Sequence, residues 1–193
     1  MKTAVFNIKK NSQLSQTGQS SLENNFLAAY QTYSDAIFRY CYYRVFDRDQ
    51  AKDYVQEAYC RTWKYLAEGK EIENMRAFLY RTATNIIIDE SRKRKHASLD
   101  QIMEKGFSPK TDPRQTTQDH FTGTELINVI KSLDEKYRDV IIMKYLDDLS
   151  TKEIAAALNE TENNVYVRIS RGMEKVREII KRQEQSFNQD QIK

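Results

Sequence analysis

A chain of 193 residues with 39% hydrophobic and 11% aromatic content can bury the core of one ordinary domain or two small ones. Its 31 Lys and Arg against 28 Asp and Glu leave a formal net charge of +3, so there is no global basic field and any DNA contact has to come from local patches. With 31% charged residues, five Gly and two Pro, the composition favours long helices with solvated faces over a turn-rich β fold, and an all-α chain is expected.

No stretch approaches the roughly 18 apolar residues of a membrane span, and the opening "MKTAVFNIKKNSQLSQTG" has no signal-peptide hydrophobic run, so no membrane insertion and a cytoplasmic location are expected. Cys41 and Cys60 show no CxxC or His-rich spacing and lie inside apolar helical patterns. They read as reduced core cysteines, a disulfide between them being the weaker reading, and no metal site or cofactor is indicated.

Residues 1–22 are rich in Asn, Ser, Gln and Lys without sustained periodicity and are expected to form a disordered tail. From Glu23 the stretch "ENNFLAAYQTYSDAIFRYCYYRVF" sets Phe26, Leu27, Tyr30, Tyr33, Ile37, Tyr40 and Cys41 at three- and four-residue steps, which predicts an amphipathic helix. A second helix, "RDQAKDYVQEAYCRTWKYLA", carries Val55, Ala58, Thr62 and Leu66 on one side with Tyr59 and Trp63 as an aromatic ridge, and stops near Gly69. A third starts after Asn74, a candidate N-cap, with Leu79, Ala83 and Ile86 inward, and runs to the basic cluster Arg92 to Lys95. The three make one small bundle over residues 23–96.

Residues 97–121 hold both prolines and nothing at sustained helical spacing, as expected of a flexible linker with His96 and His120 at or in it. A second helical domain, residues 122–183, follows as four patterns: "TGTELINVIKSL", "EKYRDVIIMKYL", "STKEIAAAL" and "ENNVYVRISRGMEKVREIIKR". Residues 184–193 are expected to fray.

Within that domain Ser150 and Glu153 form an S-x-x-E capping box, and Ile154, Ala155 and Leu158 face inward. Thr161 offers the next N-cap after a turn of helix-turn-helix length. At about 100° per residue, Val165, Ile169, Gly172, Val176 and Ile180 of the last helix share a packing face. Asn164, Val167, Ser170, Arg171 and Glu174 lie opposite, with Tyr166 and Arg168 on the flanks. An amide, a hydroxyl, guanidinium groups and an apolar side chain on one face suit a major groove: Arg to guanine or phosphate, Asn to adenine, Val to a thymine methyl. The same pattern also fits the solvated face of a structural hairpin, so this segment alone does not decide.

In the first domain, Arg81, Asn85 and Arg92 share a stripe that leads into Lys93 and Arg94, a positive end suited to phosphates, or alternatively to the helix dipole. Asp53, Gln56 and Glu57 stand at i, i+3 and i+4 beside Tyr59 and Trp63. No second carboxylate cluster, metal-spaced His or phosphate loop accompanies them, so a docking surface for a protein partner is the more economical reading than catalysis, and no enzyme activity is expected.

"DYVQEAYCRTWKYL", "RAFLYRTATNIIIDESRKRK" and "LDEKYRDVIIMKYLDDLSTKEIAAALNETENNVYVRISRGMEKVRE" together resemble the two domains of extracytoplasmic-function sigma factors of bacterial RNA polymerase, region 2 and region 4, in order and over most of the chain. The resemblance implies that Asp53, Gln56 and Glu57 dock on the β′ clamp helices of core polymerase. It implies that the loop from Gly69 to Asn74 and the stripe of Arg81, Asn85, Arg92, Lys93 and Arg94 engage the melted minus-ten element, holding an extruded base. The helix from Glu162 would read the minus-thirty-five element through Asn164, Tyr166, Val167, Arg168, Ser170 and Arg171, and an anti-sigma factor would be a further partner. The chain departs from the family pattern at Phe78, where Trp is usual, and at Asn163-Asn164-Val165, so the promoter sequence does not carry over. The alternative is a free-standing helix-turn-helix regulator, which has no need of the Asp53, Gln56 and Glu57 patch.

Overall fold

The computed structural model of the chain describes the backbone of residues 4–102 and 121–190 and the side chains of residues 22–94 and 126–182. Its elements are α1 (Ala4–Val45), α2 (Arg48–Ala67), α3 (Met75–Ile102), α4 (Phe121–Ser132), α5 (Glu135–Ile141) continued by a π-helical turn (Ile142–Leu146), α6 (Thr151–Leu158) and α7 (Glu162–Asp190). Every regular element among the described residues is helical, as the composition predicts.

Three local signals set the helix boundaries of the first half. α1 ends where Phe46 takes a left-handed φ of 54°, and the Asp47 side chain then caps α2 by accepting from the backbone N–H of Asp49 and Gln50 at 3.0 Å each. α2 closes at Gly69, whose φ of +78° is the left-handed conformation a side chain resists. Asn74 caps α3 through its Oδ1, which accepts from the Ala77 N–H at 2.9 Å. α1 begins at Ala4, inside the stretch expected to be a disordered tail. That stretch contains no proline, and its Gln, Ser and Lys residues tolerate helix even without an apolar stripe. α3 likewise continues past residue 96 to Ile102, while the rest of the expected linker, residues 103–120 with both prolines and His120, lies outside the described residues.

α1, α2 and α3 pack as a bundle around Ile37, Tyr40, Cys41, Ala58, Leu79, Tyr80 and Ala83, all almost or wholly without exposure. In the second half α7 packs across α4, α5 and α6 around Ile130, Leu133, Val140, Ile142, Met143, Ile154 and Val165. The two halves touch: α6 lies against α3, and α4 and α5 lie against α1, so the buried residues of both form one continuous cluster.

The helix-turn-helix unit is built as its sequence directs. Ser150 Oγ accepts from the Glu153 N–H at 3.2 Å while the Glu153 carboxylate accepts from the Ser150 N–H at 2.9 Å. Partial burial would raise the Glu153 carboxyl, but its bonds to Ser150 hold it below the usual carboxylate range. Asn159 ends α6 in the left-handed conformation, and Thr161 Oγ1 then accepts from the Asn164 N–H at 3.2 Å to start α7. Along α7, Val165 is fully buried and Gly172 sits directly on α5, where a Cβ would lie 3.0 Å from Ile141 Cγ1. Ile180, expected on the same packing face, is instead 41% exposed, because the helix runs past the elements it crosses.

Candidate nucleic-acid interface

The loop between α2 and α3, residues 68–74, is flanked by a ladder of alternating cations and rings. The Tyr65 and Phe78 rings lie 4.8 Å apart at an interplanar angle of 46°; Lys70 Nζ stands 4.9 Å over Tyr65 and the Arg81 guanidinium 5.4 Å over Phe78. Tyr65, Phe78 and Arg81 border a cavity of about 230 Å³ lined also by Glu71, Ile72, Glu73, Asn74, Ala77 and Ala156. Two faces of π-system, a backbone turn and carboxylate and amide acceptors suit the stacking and edge recognition of one unstacked nucleobase. Phe78, the departure from the family pattern, thus sits in the cavity wall. Tyr65 escapes a periodicity analysis because it meets Phe78 only when α2 and α3 are packed.

Asn85 follows Arg81 on the exposed side of α3, and both line a neighbouring cleft. The basic end of the stripe is less uniform than its sequence suggests. Arg92 is exposed, Lys93 pairs with Glu90 at 2.8 Å, and the Arg94 guanidinium donates to Gln50 Oε1 at 2.9 Å and to the Tyr54 hydroxyl, tying α3 to α2. Arg94 therefore acts first as a brace.

Asp53, Gln56 and Glu57 are all exposed on α2, and Glu57 accepts from Arg61 Nε at 2.6 Å. Gln56 also borders a groove between α1 and α2 whose floor is Phe26, Tyr30, Phe38, Val55, Tyr59 and Trp63. Its rings interlock, with Phe26 and Trp63 at 5.0 Å and Tyr30 and Tyr59 at 4.9 Å. The polar patch is thus the rim of an aromatic surface, the arrangement of an interface hot spot with its polar border. Cys60 is exposed at this groove, whereas burial pushes the Cys41 thiol up to about 12; both are free. Cys60 therefore departs from the expected buried position.

On α7, Asn164, Tyr166, Val167, Ser170 and Arg171 are exposed, Tyr166 at 69%. Arg168 is different: its guanidinium donates to the Lys136 carbonyl oxygen and to Glu160 Oε1, and its side chain is only 20% exposed. These bonds hold the turn between α6 and α7 to the start of α5, so Arg168 positions the helix. No group of His, Cys, Asp and Glu able to hold a metal ion occurs among the described residues, and none of their helices is long and apolar enough to cross a membrane.

The chain thus joins a helical bundle with a ring-walled cavity to a helix-turn-helix unit with an exposed polar face. Residues 29–97 match the family model for sigma-70 region 2 and residues 124–176 that for sigma-70 region 4. The chain is 32% identical over 163 residues to the ECF RNA polymerase sigma factor SigW of Bacillus subtilis, covering 75% of this chain and 83% of that protein. It is 30% identical to the RNA polymerase sigma-E factor of Streptomyces coelicolor, covering 77% and 81%. Among solved structures, the sigma factor RpoE of Bartonella quintana, in complex with the anti-sigma factor NepR, shares the fold with a TM-score of 0.66 at 20% identity over 81% of this chain and 97% of that one. CnrH, in complex with the cytosolic domain of CnrY, does so with a TM-score of 0.61 at 20% identity over 82% and 89%. The chain belongs to the extracytoplasmic-function sigma factors of RNA polymerase.

Proposed function

We propose that this sigma factor works as two units: residues 23–96 dock on core polymerase and capture the melted minus-ten strand, and residues 122–183 read the minus-thirty-five element, with 97–121 as the connection. The observation that carries the first half is the base-sized cavity between the Tyr65–Phe78 ring pair and the Glu71–Asn74 backbone, with Arg81 stacked at its edge. Unstacking a base costs a few kcal/mol, and ring stacking with edge contacts in this cavity offsets it. Asn85 and Arg92 continue the track for the strand, and Lys93 and Arg94 supply phosphate contacts at its end.

Asp53, Gln56 and Glu57 rim the aromatic groove of α1 and α2 and dock on the β′ clamp helices, with Trp63 and Tyr59 as apolar anchors. On α7 the base readers are Asn164, Val167, Ser170 and Arg171, with Tyr166 reaching backbone or base from the flank. Arg168 sets the angle of the helix through its bonds to Lys136 and Glu160. The protein acts without chemistry of its own, in the cytoplasm, and an anti-sigma factor that covers the docking surfaces is its regulatory partner.

The test is reconstitution of the full chain with core polymerase on a genomic promoter library. Discrete start sites that depend on the chain support the proposal; core-level, scattered initiation sinks it. For the docking surface, Asp53→Ala combined with Gln56→Ala weakens capture of core polymerase, and unchanged capture removes that assignment.

A further inference from the structure

The loop that carries the cavity has the wrong charge for a surface that only tracks phosphates. Residues 68–74 read "EGKEIEN", three carboxylates against one ammonium. Lys70 neutralises Glu68 at 2.7 Å. Glu71 and Glu73 are exposed, line the cavity, and make no ion pair or hydrogen bond among the described residues. A carboxylate repels a polyanion, so its presence in the wall of a nucleic-acid site is productive where it meets the hydrogen-bond donors of a base rather than a phosphate.

The other polar groups of the wall narrow the chemistry. Asn74 Oδ1 already accepts from the Ala77 N–H at 2.9 Å to cap α3, so that acceptor serves the fold. The Arg81 guanidinium, 5.4 Å over the Phe78 ring, is the cation of the wall. The loop therefore offers acceptors and α3 offers a donor. The matching edge of a nucleobase is an exocyclic amino group close to an acceptor: N4 beside N3 in cytosine, N6 beside N1 in adenine, N2 and the N1–H beside O6 in guanine. Thymine has a carbonyl oxygen on each side of its single N–H, which sets a lone pair against a carboxylate. Stacking on Tyr65 and Phe78 does not make this distinction, because every base has a π face.

We propose that Glu71 and Glu73 set the base specificity of this cavity: they admit a base that carries an exocyclic amino group and reject thymine. The assignment rests on the extruded-base reading of the cavity proposed above and adds the choice among bases.

The test uses the full chain assembled with core polymerase, with core polymerase alone as the blank, and two fluorescent 12-nucleotide single strands, one all thymidine and one all 5-methyldeoxycytidine. Their bases share one outline and one methyl group and differ in the exocyclic group at ring position 4 and the proton on N3, so the ratio of affinities reads the amino group in any register. The 5-methylcytosine strand binds about tenfold more tightly. A single cytosine, adenine or guanine in the middle of the thymidine strand recovers most of that gain and ranks the three sources of the amino group. Glu71→Gln with Glu73→Gln, both at exposed positions, brings the ratio close to one, because a glutamine amide presents a donor as well as an acceptor. Equal affinity of the unaltered complex for the two strands overturns the proposal, as does a gain absent from all three single-base strands, since one cavity holds one base. A ratio unchanged in the double variant, with both affinities raised alike, also overturns it and marks Glu71 and Glu73 as plain repulsive charges. Phe78→Ala separates the two readings: if it weakens neither strand, the cavity does not hold a base, whereas capture that depends on Phe78 but shows no preference rejects only the role of the carboxylates.

Discussion

The two halves solve recognition in opposite ways. In the first, the surfaces proposed to meet DNA and polymerase are also packing: Phe78 and Tyr65 are half-buried against each other, and the groove beside Gln56 is floored by rings that hold α1 to α2. In the second, the functions are split across a single helix, with Val165 and Gly172 locking α7 down and Asn164, Val167, Ser170 and Arg171 left exposed. An extruded base needs a pocket, and a pocket needs walls that bear load. An intact major groove needs only a convex ridge, which a helix supplies for nothing beyond its own packing.

The largest expected effect tests the locked side of the second half. Ile154→Ala removes a fully buried side chain from α6 and is expected to cost about 2–5 kcal/mol in urea unfolding. Such a loss marks α6 as scaffold; a change near zero would mean that α6 is not packed as described. Phe78→Ala should then show the double duty of the first half, weakening single-strand binding by about 1–3 kcal/mol through the lost stack while also lowering the melting temperature. If stability falls and strand affinity does not, the ring is packing alone.

Arg171→Ala should show the opposite profile: about 1–3 kcal/mol lost at one upstream base position and no change in melting beyond about 0.5 kcal/mol. Equal loss on every promoter variant would assign Arg171 to a phosphate. The smallest effect belongs to the cap. Ser150→Ala should cost about 1 kcal/mol of stability. Part of that contribution is pH-dependent: because the Glu153 carboxyl is held below its ordinary range, its stabilisation is present above the unfolded value near 4.3 and is lost as pH falls through the folded one. An acid titration of melting should therefore converge for the two chains; parallel curves would remove Glu153 from the cap.

The inner helix ends were legible in the sequence because they are local events, whereas the start of α1 at Ala4 and the runs of α3 to Ile102 and α7 to Asp190 were not. Gly69, Asn74, Ser150 and Thr161 act within a turn of themselves, and the apolar spacing of α2 and α7 names the buried faces. The polar cluster of Asp53, Gln56 and Glu57 was visible, but the aromatic groove beside it was not, since Phe26 and Tyr30 come from another helix. Tyr65 stayed hidden for the same reason, since its partner Phe78 comes from α3. Arg168 looked like a reader because it flanks the exposed face, and only the fold brings Glu160 and the Lys136 carbonyl to it. Arg44 did leave a trace: it is a charge inside an otherwise apolar run, "YCYYRVF", and a buried charge demands a partner, whereas Asp139 stands beside Arg138 and looks like an ordinary surface charge.

Gly172 carries a consequence for how this scaffold diversifies. With Ile141 pressed against its Cα, that position has almost no freedom to change, while the side chains one turn around the helix are bounded by solvent alone. Substitutions at Asn164, Val167, Ser170 and Arg171 can accumulate without disturbing the fold, so under the roles proposed above a duplicated copy of this chain can acquire a new upstream address long before it could acquire a new base pocket. Paralogues sharing one polymerase would then diverge first in where they bind and last in how they open the duplex.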